Sequence, residues 1–296
     1  MSPDALLTAA GRSRIDVGSD DALAQAAVAA LHDELAAYPK PGLVSPVDSG
    51  AHADMDFALM GRSANSLREP FTRLAAAGRT GASFETVLLP LGVAAERRML
   101  AATGGINTHR GAIFSVGMIV AAVARAAAGA DLIPVERVRE VLMRDWGTAL
   151  AAHAARGAAT ASHGADVRRR TGRDGARREA ARGFPSVFDV GVPAYRQART
   201  LGLDDNAAGI QTLFVLMASV DDTTVLHRGG LAGDSFVRGA AADFLARGGC
   251  ARDGWLGEAE ALHRAFVARR LSPGGCADLL AATLFVDRCC DGRAAG

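Results

Sequence analysis

Residues 112–128 read AIFSVGMIVAAVARAAA, and their reading decides the fold. Apart from Ser115 and Arg125 no side chain in the run is polar, so no face of a helix made from it would suit water. A helix that is apolar all round belongs at the centre of a structure, wrapped by other elements. It is no membrane span, because the most apolar part, Gly111 to Ala124, ends at Arg125 and falls short of the ~20 residues a bilayer requires.

The flanking segments read as the wrapping. Ser19 is a good N-cap, and Asp20 and Asp21 place negative charge where a helix N-terminus favours it. Leu23, Ala27, Leu31 and Leu35 then recur at helical spacing until Pro39 ends the run. Asp54 is expected to open the next helix, with Phe57, Met60 and Ala64 on one face. A further run passes through Leu67, Phe71 and Leu74 to Gly78. Ser83 caps a helix through Leu88 and Leu91 to Leu100, in which Pro90 predicts a kink or a break.

Beyond the central run, Pro134 suits a first turn, with Val135, Val138, Leu142 and Trp146 facing inward. Helical periodicity returns over 206–220, 234–246, 255–271 and 275–290. Residues 156–178, rich in Gly, Ala and Arg, lack an apolar stripe and read as a surface or mobile segment, with Arg168, Arg169 and Arg170 solvated. No run alternates as a strand does, and no repeat of fixed length is present. The expectation is an all-α protein, a loose arm over 1–18 followed by one globular domain over 19–296, with about ten helices. Its central helix is apolar, and its polar loops converge on one groove.

Composition agrees with that class. Hydrophobic residues make up 49% of the 296 and charged residues 22%, enough apolar matter for a substantial core. A net charge of +1 lacks the basic excess of a general nucleic-acid-binding protein. Asp4 interrupts the N-terminus, which has no signal-peptide core, and none of the four cysteines forms a C-x-x-C pair. A soluble, cytoplasmic protein with reduced thiols is expected, bound to neither membrane nor nucleic acid.

Polar chemistry is concentrated in the interruptions. The first, within ELAAYPKPGLVSPVDSGAHADMD (34–56), breaks a helix with Pro39 and Pro41 and packs in Lys40, Asp48, His52, Asp54 and Asp56. Lys40 is the only lysine in the chain. The others are GGINTHRG (104–111), REAARGFPSV (178–187), DDTTVLHRGG (221–230) and SPGGCAD (272–278). Backbone N–H groups at helix starts beside cations make anion sites, phosphates above all. His109-Arg110-Gly111 and His227-Arg228-Gly229 form a pair of such entrances, suited to two anionic groups or two ends of one polyphosphate. The plain alternative for Asn107, Thr108, His109 and Arg110 is a helix cap with a satisfied histidine.

Carboxylates share the same segments: Asp54, Asp56, Glu179, Asp221, Asp222 and Asp278. Mg²⁺, which takes one or two carboxylates with waters and substrate phosphates, is compatible with them. Zinc spacing, a P-loop, a strand leading into a G-x-G-x-x-G turn and a G-x-S-x-G elbow are all missing. His32-Asp33 lacks the upstream histidine of the all-α metal phosphohydrolases.

In order along the chain, five groups of residues resemble the triphosphoribosyl-dephospho-CoA synthase family. They are Pro39-Lys40-Pro41-Gly42-Leu43-Val44 with Gly50-Ala51-His52-Ala53-Asp54-Met55-Asp56, and Gly105-Ile106-Asn107-Thr108-His109-Arg110-Gly111. Glu179-Ala180 with Gly183-Phe184-Pro185 follow, then Ser272-Pro273-Gly274-Gly275 and Ala277-Asp278-Leu279-Leu280. The resemblance covers about 34–290, nearly the whole chain. Arg178, Cys276, Arg110 and Thr224 depart from the pattern, where glycine, serine, often lysine, and asparagine respectively stand; an arginine in place of glycine would be strained if the backbone there were left-handed.

The resemblance implies that ATP and 3′-dephospho-CoA are joined to give 2′-(5″-triphosphoribosyl)-3′-dephospho-CoA with release of adenine. The product supplies the prosthetic group of citrate lyase or malonate decarboxylase, here with a leaning to malonate decarboxylase, and passes to a carrier-protein holo-transferase. It implies Glu34, Asp54 and Glu179 as catalytic residues, the base that takes the 2′-hydroxyl proton being Asp54 or Glu34. General-base help of that kind is worth about 10²–10⁴ in rate. Lys40, His52, Asn107, Thr108, His109, Arg110, His227, Arg228, Ser272, Gly274 and Gly275 are expected to bind substrate. Asp56, Asp222 and Asp278 are expected to hold Mg²⁺. Lys40→Ala is expected to weaken ATP use far more than folding. Two rivals share these features: a Mg²⁺-dependent all-α nucleotide or ADP-ribose glycohydrolase, and a non-catalytic helical module that binds CoA or a carrier protein.

Overall fold

The computed structural model describes residues 15–128, 133–157 and 175–290, and there the chain is helical, with no strand among the described residues. The helices are α1 (Asp20–Ala36), α2 (Phe57–Ser66), α3 (Arg68–Arg79), α4 (Leu89–Ala102), α5 (Arg110–Ala126) and α6 (Val135–Gly157). They continue as α7 (Ala176–Ala181), α8 (Val192–Thr200), α9 (Asp205–Ser219), α10 (Thr223–Ala246), α11 (Trp255–Ala268) and α12 (Gly274–Cys289).

The apolar run forms α5, buried from Ala112 to Ala126 except at Phe114 and Arg125. It lies against α3, α6 and α12, and α1 closes the same core by packing on α3 and α12. Ser19 caps α1 as its sequence suggests, its Oγ accepting from the Ala22 N–H at 3.2 Å. Val17, ahead of that cap, is already part of the core.

Local departures have physical reasons. Helix α2 starts at Phe57, because the Asp56 carboxylate, not that of Asp54, accepts from the Leu59 N–H at 2.7 Å. Pro90 does mark a break. Ahead of it Phe84–Leu88 winds as a π-helical turn in which the Leu89 N–H reaches back to the Phe84 carbonyl. The same turn recurs over Ser186–Gly191, just before Pro193. A proline near the helix start lacks the N–H for regular pairing, and its ring widens the preceding turn. Helix α10 absorbs the interruption expected over 221–230 and kinks instead at Gly230, whose φ of 60° and ψ of −159° favour glycine. Arg178 sits inside α7 and avoids the left-handed region, which Gly183 and Phe184 occupy in its place. Residues 1–14 and 158–174, which hold most of the expected arm and Arg168–Arg170, lie outside the described residues.

Candidate active site

The non-helical loop 37–56 between α1 and α2 is held from several sides. Three prolines, Pro39, Pro41 and Pro46, deny it a regular ladder, so its polar groups find partners on distant elements. Asn206 of α9 accepts from the Tyr38 N–H at 2.9 Å and donates to its carbonyl at 2.7 Å. The Tyr38 hydroxyl reaches Glu260 of α11 at 3.2 Å. His263, also on α11, lies 2.8 Å from the Lys40 carbonyl and 3.1 Å from the Asp48 carboxylate. Arg228 of α10 donates to the Ala51 carbonyl at 2.9 Å.

Lys40 turns inward. Its ammonium lies 2.6 Å from both the carbonyl and the Oε1 of Glu34, and the residues are 1% and 5% exposed. Burial pulls the Lys40 ammonium below its ordinary pKa, while the Glu34 carboxylate opposes that shift. The ammonium is therefore engaged within the protein rather than presented to an incoming triphosphate. Removing one partner of a buried pair strands the other charge, so Lys40→Ala, expected from the sequence to weaken ATP use far more than folding, must also bear on stability.

His52, Arg228 and Ser272, from three separate interruptions, meet. The Arg228 guanidinium donates to His52 Nδ1 at 3.0 Å, so Nε2 carries the ring proton and donates to the Ser272 Oγ at 2.8 Å. Burial, and then the Arg228 charge, lowers the His52 pKa to about 4 and keeps the ring neutral. Asp54 stands outside this triad, its side chain 62% exposed and 3.9 Å from His52 Nδ1. His227 is exposed on the first limb of α10.

At the entrance of α5 the Asp278 carboxylate, from the N-terminal part of α12, accepts from the Ala112 N–H. A Cβ on Gly111 would overlap that carboxylate, so glycine is needed for the approach. Burial raises the Asp278 pKa well above the usual carboxylate range, and the charges of Glu34 and then Asp222 push the same way. His109, 3% exposed, places Nδ1 2.7 Å from Ser63 Oγ, which lies 2.6 Å from Thr108 Oγ1. Its Nε2 is buried with no hydrogen-bond partner among the described residues. Burial, with smaller pushes from His32 and Lys40, lowers its pKa to about 4. Asn107 accepts from the Arg110 N–H at 3.3 Å, and the exposed Arg110 side chain meets Glu96 at 3.2 Å.

Asp222 is 3% exposed and joins two helix starts. Oδ1 accepts from the Thr224 and Val225 N–H groups at 2.8 and 3.1 Å, and Oδ2 from the Cys276 N–H at 2.8 Å beside Gly275. Gly274 opens α12 next to Thr224. Even so, burial raises the Asp222 pKa. Glu179 accepts from the Ser186 N–H at 2.6 Å and so closes the turn of its own segment. Asp56 is exposed and caps α2.

Among the described residues no group of three or more His, Cys, Asp or Glu side chains could hold a metal ion by itself. Residues that the sequence did not single out complete the site: Ser63 beneath His109, His263 and Glu260 under the loop, and Asn206 at its start. Each lies mid-helix or at a helix start in ordinary periodic sequence, where no local signal separates it from its neighbours.

Over residues 20–295 the chain matches the family described as ATP:dephospho-CoA triphosphoribosyl transferase. It is 39% identical over 270 residues to the 2-(5''-triphosphoribosyl)-3'-dephosphocoenzyme-A synthase of Klebsiella pneumoniae, covering 90% of this chain and 94% of that one. A relative from Azotobacter vinelandii is 42% identical over 270 residues, covering 90% of each chain. Another, from Pseudomonas aeruginosa strain UCBPP-PA14, is 41% identical over 293 residues, covering 96% of each. Both carry that name with the prefix "Probable". No solved structure matches.

Proposed function

The chain belongs to the ATP:dephospho-CoA triphosphoribosyl transferase family, and from that premise we propose how its residues serve the transfer. It is a triphosphoribosyl-dephospho-CoA synthase, a transferase that uses ATP and dephospho-CoA. In the reaction proposed, the 2′-hydroxyl oxygen of 3′-dephospho-CoA bonds to the anomeric carbon of the ATP ribose. The glycosidic bond to adenine breaks, adenine takes that electron pair and a proton, and the triphosphate stays on the transferred ribose.

The observation that carries this reading is the meeting of His52, Arg228 and Ser272 from positions far apart in sequence, at the loop that also carries the buried Lys40 to Glu34. Arg228 and Arg110, both exposed, are the cations proposed to meet phosphate oxygens, and the N–H groups of Gly274 and Gly275 at the start of α12 are proposed to add to them. Lys40 acts from behind, fixing the Glu34 carboxylate near the reacting ribose, where a fixed carboxylate favours the oxocarbenium-like transition state. Asp54, exposed beside His52, is assigned the 2′-hydroxyl proton. The unpartnered Nε2 of His109 is left for a ribose hydroxyl or base nitrogen.

Mg²⁺ fits as a companion of ATP. An ion held mainly by phosphate oxygens and water needs only one or two carboxylates, and Asp56 is exposed enough to serve. Asp222 has both oxygens engaged by helix N–H groups, so we assign it to structure, and Asp278 to the start of α5. Glu179 is assigned to shaping its turn. We place the enzyme in the cytoplasm, where its substrates are made, upstream of a carrier-protein holo-transferase and serving malonate decarboxylase. No helix of the described residues is long and apolar enough to cross a membrane.

Mass spectrometry after incubation with ATP, Mg²⁺ and 3′-dephospho-CoA tests this. Adenine and a triphosphoribosylated CoA, both dependent on the acceptor, are expected. Adenine or ribose triphosphate without the acceptor would favour a glycohydrolase, and binding without turnover a non-catalytic module.

A further inference from the structure

His263 lies outside every motif that pointed to the site, yet it holds the loop at two places. The ring is 5% exposed, with Nδ1 2.8 Å from the Lys40 carbonyl oxygen and Nε2 3.1 Å from Asp48 Oδ2. A backbone carbonyl only accepts, and an ionised carboxylate only accepts. A neutral imidazole has one N–H and one lone pair, so one of these contacts would set lone pair against lone pair. Both are satisfied at once when the ring carries two protons.

We infer that His263 is held as an imidazolium whose two N–H groups clamp the Lys40 loop, which makes it a positioning residue for the transfer. The inference rests on reading that loop as part of the substrate site. Asp48 is tied to the loop independently of the clamp. Its Oδ1 accepts from the Gly50 N–H at 2.8 Å, and its carbonyl accepts from the Ser45 N–H at 2.9 Å. The two clamped points therefore lie on either side of the turn that carries Pro41 to Ser45. The same backbone delivers the Lys40 side chain to Glu34 and, four residues beyond Asp48, sets His52 against Arg228 and Ser272.

Charged and titratable groups facing this corner are Asp48 and Lys40 on the loop, Glu260 and Arg264 on α11, and the Tyr38 hydroxyl bonded to Glu260. Asp48 is the one in contact with the ring edge. Loss of the ring proton as pH rises must release either the carboxylate or the carbonyl. The direction follows: the clamp is closed at lower pH and opens on the alkaline side.

The test uses the full chain with ¹⁵N-labelled histidine. Long-range proton–nitrogen correlations, assigned with His263→Gln, should show both His263 nitrogens protonated at neutral pH. A neutral tautomer there overturns the inference. The second arm is Asp48→Asn, whose amide can donate to Nε2 of a neutral ring while its carbonyl keeps the Gly50 N–H. Both contacts then survive without the charge. The parent should lose about ten- to a hundredfold in kcat/KM for MgATP on the alkaline side, the worth of one charge-assisted hydrogen bond, mostly through KM. Asp48→Asn should remove most of that loss, and an unchanged alkaline limb overturns the positioning role.

If the parent makes no triphosphoribosyl product, the reading of the reaction fails on that ground alone. MgATP binding by calorimetry then replaces turnover in the same comparison. If Asp48→Asn does not fold, amide protection over residues 41–52 of the parent decides. Protection lost together with the imidazolium supports the clamp, and protection indifferent to it overturns the clamp.

Discussion

The Lys40 ammonium lies 2.6 Å from Glu34 Oε1, and neither residue is more than 5% exposed. The one lysine of the chain is thus paired inside the protein with a carboxylate proposed to face the reacting ribose. Two roles, stability and charge placement, meet in a single contact.

Lys40→Ala should therefore destabilise the protein by about 3–5 kcal/mol, the usual result of leaving a buried charge without its partner. Replacing both members, Lys40→Met with Glu34→Leu, should recover most of the stability and none of the transfer. Chemical denaturation and turnover of the parent, Lys40→Ala and the double variant measure this. A Lys40→Ala protein that unfolds with the parent would return Lys40 to direct phosphate binding.

Gly111 gives way to Asp278 where α5 begins. Gly111→Ala should force the carboxylate off the Ala112 N–H and cost about 1–3 kcal/mol, as overpacking at a tight contact does. Turnover should fall further than stability explains, because the Asn107–Arg110 entrance moves with the helix start. Thermal melts beside kcat/KM check it, and a variant with parental values for both would show that the contact is soft.

Arg228 helps to hold the His52 pKa near 4, after burial itself. Arg228→Ala should move that pKa up toward the ordinary 6.5, and NMR titration of the ring reads the shift directly. The KM for MgATP should rise about tenfold or more if the guanidinium also meets phosphate. A moved pKa with unchanged KM would confine Arg228 to bracing the loop.

Burial holds the His109 pKa at about 4, so the unfolded chain binds this proton first as pH falls below 6.5. Its contribution to stability is complete above the unfolded value and drains away between 6.5 and about 4. Asp222 and Asp278, whose burial raises their pKa values, push stability the opposite way as pH falls, so the parent curve alone is uninformative. The difference between parent and His109→Gln isolates the term. It should shrink by about 2 kcal/mol between pH 7 and pH 5, at about 1.4 kcal/mol per unit. Urea unfolding at the two values tests it, and a constant difference would mean that His109 protonates without penalty.

Helices were legible wherever local chemistry decides them. Ser19 capped its helix, Pro39 stopped the first run, and the apolar stretch 112–128 took the centre because no polar face competed. Pro90 announced its π-helical turn only as a kink or break, and Pro193 carried no expectation at all, since the remedy depends on what the preceding turn can reach. The interruptions that carry the site were also visible, because glycine, proline and charge together disrupt a helical pattern. Partnership was not. Whether Lys40 turns outward to solvent or inward to Glu34, and whether Asp222 offers its oxygens to a metal or to two helix starts, depends on elements that meet only in three dimensions. Ser63 and His263 sit within regular helical sequence and join the candidate site only through what lies opposite.

Helix α1 packs on α12, the first and last of the described helices, and the residues of the site run from Glu34 to Asp278. During synthesis the early helices would emerge with one flank bare, and such long-range closure is slow and exposes apolar surface meanwhile. A nascent chain has neither a finished core nor a complete candidate site until α12 clears the ribosome, so the two close together and not by instalments. A single proteolytic cut before α12 would undo both together.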